Sequence, residues 1–145
     1  SDIGIHPSYH SSENEKLISK EIALLGTKTG FAITKSRQHF LKFRFPDTFE
    51  ALMEAGIQED YSLGWHDEAG FRNSVTIPVP FFNLKTNRPT DLLLVPLTVM
   101  DGALYHLYDS IEMCLNTIHL LQQEVEKYGG VFVVLYHNNS KKHLF

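Results

Sequence analysis

Two imidazoles stand four residues apart near the start of the chain, in His6-Pro7-Ser8-Tyr9-His10. On a helix this spacing puts both rings on one face for a metal ion. Pro7 and the apolar Ile3-Gly4-Ile5 before it argue instead for a loop chelate at the end of a strand. Imidazole suits zinc, iron, nickel or cobalt. A catalytic zinc also needs a third protein ligand and an open position for water. The competing reading is two unrelated polar loop histidines. Arg37-Gln38-His39-Phe40 offers a cation and an imidazole, and Arg37 has the fork geometry to grip a carboxylate; the same residues also read as a surface Arg beside a half-buried His. Residues 60–72 collect Asp60, Trp65, His66, Asp67, Phe71 and Arg72. That mixture suits a sugar-binding groove, and equally a loop packed on its own aromatics. His137, followed by Asn138-Asn139, is a candidate general acid, since histidine exchanges a proton near neutrality; otherwise it belongs to an Asn-rich turn. Asp101-Gly102 reads first as a turn, Cys114 as a core residue and His119 as a surface one.

Alternating strands and helices must position these groups. Ile3-Gly4-Ile5 reads as the end of a strand. Ser12-Glu13-Asn14-Glu15 has the form of a capping box. It predicts a helix to about Leu25, with Gly26 and Gly30 as stops. Residues 31–36 and 57–61 read as strands. Between them, Asp47-Thr48-Phe49-Glu50 caps a short helix ending at Gly56. Residues 75–82 carry Pro78 and Pro80, which confines them to an edge strand or an extended loop. Residues 84–90 look turn-like, and residues 92–100 fit a buried strand. Asp109-Ser110-Ile111-Glu112 caps the strongest helix, whose Ile111, Cys114, Leu115, Ile118, Leu121, Val125 and Tyr128 keep three-four spacing. Gly129-Gly130 ends it. Residues 131–136 are apolar and β-branched, as in a parallel strand covered on both faces. The pattern predicts an α/β domain with a mainly parallel sheet over residues 1–145. In such folds chemistry gathers at the C-terminal ends of strands, where His6, Arg37 and His137 all fall.

Composition narrows the function classes. The 13 basic and 17 acidic residues leave a net charge of −4, and the only basic cluster is the doublet Lys141-Lys142, so a nucleic-acid partner is not expected. No apolar run approaches the length of a transmembrane helix. A single cysteine excludes a disulfide scaffold. Nucleophile elbows, Walker loops and dinucleotide glycine motifs are absent from the sequence.

Taken in order, these pieces resemble the polysaccharide deacetylase family, and in particular an uncharacterised bacterial branch of it. His6-Pro7-Ser8-Tyr9-His10 is similar to the family's His-x3-His metal motif. Arg37-Gln38-His39-Phe40 stands in the place of Arg-x-Pro-Tyr, matching at Arg and an aromatic. Asp60 and Trp65 are loose counterparts of an Asp/Trp motif, and Leu135-Tyr136-His137 matches Leu-x-His. Further likeness lies in Glu59-Asp60-Tyr61-Ser62-Leu63-Gly64, Gly70-Phe71-Arg72 and Met100-Asp101-Gly102. The resemblance implies a distorted (β/α) barrel acting on a glycan, with His6 and His10 on a divalent metal, foremost zinc. It also implies His137 as general acid, Arg37 orienting a base, and Asp60, Trp65, Arg72 and His39 near substrate. The family's Thr-Phe-Asp-Asp motif, source of the base and of a third metal ligand, has no counterpart here. The chain also begins without Met. It is therefore expected to be the C-terminal part of a longer protein, inactive by itself, with the missing Asp and the first strand or strands upstream. A sheet edge opened in that way is expected to pair with a second copy. A non-catalytic carbohydrate-binding or structural relative is the alternative.

Overall fold

The computed structural model describes residues 3–137. Strands β1 (Gly4–Ile5), β2 (Lys35–Ser36) and β3 (Glu59–Leu63) run parallel, with Gly4 opposite Lys35 and Lys35 opposite Glu59. Helix α1 (Glu15–Thr29) lies in the first crossover and α2 (Asp47–Glu54) in the second. Strand β5 (Arg88–Pro96) lies beside β3, and β4 (Val79–Asn83) pairs antiparallel with β5, giving the order β1-β2-β3-β5-β4. The fold is thus mixed α/β around a mostly parallel five-stranded sheet. Pro80 sits in β4, an edge strand, where a missing N–H costs no ladder bond.

Two compact units divide the chain. The first comprises Ser1–Ser62 and Val79–Val95, the second Leu63–Pro78 and Pro96–Phe145. The first is closed around Phe49 and Phe81, both without exposed surface, whose rings lie 5.2 Å apart, with Phe43 tilted against Phe49 and Phe45 edge-on to both. Ile18 and Ile22, four residues apart on α1, form the buried face of that helix. Local chemistry differs from the capping reading. Ser11 and Ser12 are buried in a short 3₁₀ turn, so their hydroxyls face inward and Asn14 takes the N-cap position. The helix runs through Gly26 and stops at Gly30, whose left-handed φ of 74° lets its N–H close on the Gly26 carbonyl. Strand β2 is shorter than expected, because Phe31 is exposed on a loop. The stretch read as a turn is tighter: the Asn83 side chain accepts from the N–H groups of Lys85 and Thr86, and β5 starts at Arg88.

In the second unit, β6 (Val99–Met100) pairs parallel with β7 (Val134–Leu135). Asp101 opens helix α3 (Asp101–Leu107) instead of forming an isolated turn. Helix α4 (Ile111–Tyr128) buries Cys114 and Ile118 with Val99 and Leu104. Ile111, Leu115 and Tyr128 are exposed, so the buried face is narrower than the sequence stripe. Val134 and Tyr136 are exposed too, against the expectation of a strand covered on both faces. Gly130, between α4 and β7, has φ 119°, and a Cβ there would stand 2.1 Å from the Thr76 carbonyl oxygen, so only glycine lets these backbones meet. No helix among the described residues is long and apolar enough to cross a membrane.

Candidate functional site

The first unit gathers its polar groups where β1, β2 and β3 end. The β1–β2 ladder continues one step beyond the strands, with the Arg37 N–H donating to the Ile5 carbonyl at 3.0 Å. This brings His6 beside the segment 37–39. His6 Nδ1 lies 2.8 Å from the Arg37 carbonyl oxygen, which can only accept, so Nδ1 carries the proton and Nε2 presents its lone pair. His39 Nδ1 stands 2.9 Å from that Nε2, with ring centroids 4.7 Å apart. His39 begins a tight turn in which Phe40 and Leu41 have φ of 56° and 52°, a strained backbone for such side chains.

His10, the other half of the His-x3-His spacing, points elsewhere. Its side chain is 76% exposed, 3.9 Å from Glu13 and edge-on to the Tyr9 ring. The loop carrying these residues is fastened by Glu21 of α1, whose carboxylate accepts from the Ser8 N–H at 2.8 Å and the Ser8 hydroxyl at 2.6 Å. Charge-assisted bonds of this kind are worth more than neutral ones. In the Glu21→Ala variant, amide exchange at Ser8 is expected to rise about five- to tenfold, equivalent to about 1 kcal/mol of local opening. Unchanged exchange at Ser8, read by NMR, would show that the clamp is idle.

Below the histidines lies a buried polar column. Alternation along β3 turns Asp60 and Ser62 inward and leaves Glu59, Tyr61 and Leu63 half-buried. Asp60 accepts from the Ser36 hydroxyl, from the Ser62 N–H at 2.9 Å and from the Ser62 hydroxyl at 3.0 Å. Ser62 Oγ accepts in turn from the Gln38 N–H at 2.8 Å. Burial pushes the Asp60 carboxyl above its ordinary value, against the pull of these donors and of Arg37. Desolvation lowers Arg37, opposed by the charges of Asp60 and Tyr61. The Arg37 Nε is buried with no hydrogen-bond partner among the described residues. Asp60, expected to meet substrate, is therefore a buried structural carboxylate with no exposed surface.

The second unit holds a separate pair. The parallel register places Met100 opposite Leu135, so Asp101 and His137 leave adjacent strand ends together. The Asp101 side chain has no exposed surface. Its Oδ1 lies 2.6 Å from His137 Nδ1 and accepts from the Gly102 N–H at 2.8 Å, while Oδ2 accepts from the His137 N–H at 3.0 Å. The His137 ring is half exposed, and its Nδ1–H donates to the carboxylate. Asn138 and Asn139 lie outside the described residues. In the same unit the Arg72 guanidinium stacks 4.9 Å over the partly exposed Trp65 ring and donates to the Gly64 carbonyl at 3.1 Å.

Residue types and spacing offered Asp101 first as a turn and gave no sign of Glu21. The available signal for Asp101 was its position directly after an apolar strand. No group of three or more His, Cys, Asp or Glu among the described residues is placed to hold a metal ion. Neither a protein-family model nor a curated protein matches the chain.

Proposed function

We propose that this chain forms part of a metal-dependent hydrolase resembling the polysaccharide deacetylases, built on a distorted (β/α) barrel and removing acetyl groups from an N- or O-acetylated glycan. The Asp101–His137 pair carries this reading. An Asn-rich turn has no need of a buried carboxylate that accepts both the ring and the backbone N–H of one histidine. A proton donor needs that arrangement: one ring nitrogen is held and the other trades its proton. His137 Nε2 gives a proton to the departing amine as its bond to the acetyl carbon breaks, and the acetyl group leaves as acetate with the oxygen of water.

The first unit's imidazoles fit a zinc-class ion in their donor chemistry, and the Arg37 carbonyl already sets the His6 tautomer. When bound, such an ion supplies a Lewis acid for the acetyl carbonyl and acidifies a bound water. The resemblance assigns the third ligand and the base to carboxylates upstream of Ser1. The buried, unpartnered Nε of Arg37 suits a cation that orients such a carboxylate. Trp65, braced by Arg72, offers an aromatic face to a sugar ring. A second reading, a carbohydrate-binding relative without activity, is favoured by the third motif, which keeps only Arg37 and the aromatic Phe40.

Acetate release from acetylated glucosamine oligomers, measured with the natural protein carrying this chain and zinc or cobalt, separates the two. Release that falls at least about 100-fold in His137→Ala supports the hydrolase. Oligomer binding without release leaves the binding protein.

A further inference from the structure

We infer that His39, rather than His10, is the second imidazole of a divalent-metal site with His6. This assignment rests on the hydrolase reading only for what the ion does; the site itself stands on geometry. Two ligand nitrogens on a tetrahedral zinc, each at about 2.0–2.1 Å, lie about 3.3 Å apart. His6 Nε2 and His39 Nδ1 already face each other at 2.9 Å, so a small rotation of either ring opens the required span. The Nδ1–H of His6 is held by the Arg37 carbonyl, the outer-shell contact that fixes a ligating histidine with its other nitrogen outward. His39 sits on a strained turn, with left-handed Phe40 and Leu41 directly after it. Strain of this kind persists where the surroundings over-determine a side chain's position.

His10 does not join them. No three such side chains among the described residues converge on one point, and the His10 ring is spent on solvent, Glu13 and Tyr9. In the free pair, His39 carries its proton on Nδ1 and donates it to His6 Nε2. On metal binding that proton moves to His39 Nε2 through solvent, so the exchange of tautomer releases no net proton. The two candidate ligand sets for one ion differ in their atoms: Nε2 of His6 with Nδ1 of His39, against Nε2 of His6 with a nitrogen of His10.

Zinc titration of the chain, followed by imidazole ¹⁵N NMR, tests the assignment. The expected result is that His6 Nε2 and His39 Nδ1 shift together while His10 stays in place. By calorimetry, affinity is expected to fall at least tenfold in His39→Asn and less than twofold in His10→Asn. The wild-type spectra decide even if a variant folds poorly. A shift at His10 without His39, or no zinc binding by the wild-type chain, overturns the assignment. Zinc bound by His6 and His39 with no acetate released by the natural protein would leave the site standing and remove the deacetylase.

Discussion

Asp101→Asn is expected to lower acetate release by about 10²–10⁴-fold, the range lost when general acid catalysis is removed. Among the described residues, the ring and backbone N–H groups of His137 and the backbone N–H of Gly102 point at this carboxylate. Asparagine offers one oxygen and one NH₂ where Asp101 offers two oxygens. The two backbone donors sit on different oxygens, so either orientation of the amide strands one of them; with the NH₂ in the Oδ1 position it donates to His137 Nδ1. The imidazole must then take the opposite tautomer, with its proton fixed on Nε2. On the proposed mechanism the substitution leaves the Trp65 face for the sugar untouched, so the loss is expected in kcat and not in KM. Loss of buried, charge-assisted bonds also lowers stability, by about 1–3 kcal/mol. A purely structural role would show that loss alone. Ring ¹⁵N shifts of His137 therefore discriminate, and they can be read on this chain without activity. An unchanged tautomer, with release reduced no more than a few-fold, would remove Asp101 as the positioning residue.

The same pair shows where sequence reading stops. Helix α4 was legible from its three-four spacing and its glycine stop, and the edge position of β4 from its proline. Both depend on neighbours a few residues apart. The Asp101–His137 contact joins residues 36 apart, and only the pairing of β6 with β7 creates it. His39 was noticed but set with substrate, because a four-residue spacing advertises His10 while the His6–His39 contact spans 33 residues. Asp60 drew attention as an acid near Trp65. Its place in the alternation of β3 instead turns it into the interior. Spacing along the chain found the residue types, and through-space register decided which of them meet.

Asp60→Ala is expected to destabilise the first unit by about 3–5 kcal/mol, the cost of the buried donors it strands. Alanine leaves the hydroxyls of Ser36 and Ser62 and the Ser62 N–H without their acceptor in a region with no exposed surface at Asp60. Each stranded group costs about 1–3 kcal/mol, with partial relief where a hydroxyl rotates. Asp60→Asn is expected to be milder, because its oxygen still receives the Ser62 N–H and the two hydroxyls can turn to accept from its NH₂. The pH dependence has a definite sign. Burial raises Asp60, so the folded state holds its proton more tightly than the unfolded chain does. The stabilisation is complete below the ordinary aspartate value, about 3.9, and is lost as pH rises through the raised value. Glu13 and Glu50, lowered by their lysine partners, act in the opposite sense, so a single melting curve mixes the two. Subtracting the urea stability of Asp60→Asn from that of the wild type isolates Asp60. The difference should favour the wild type most at acid pH and shrink toward neutrality. If it grows with pH, Asp60 is instead a lowered carboxylate, held below its ordinary value by its donors and Arg37.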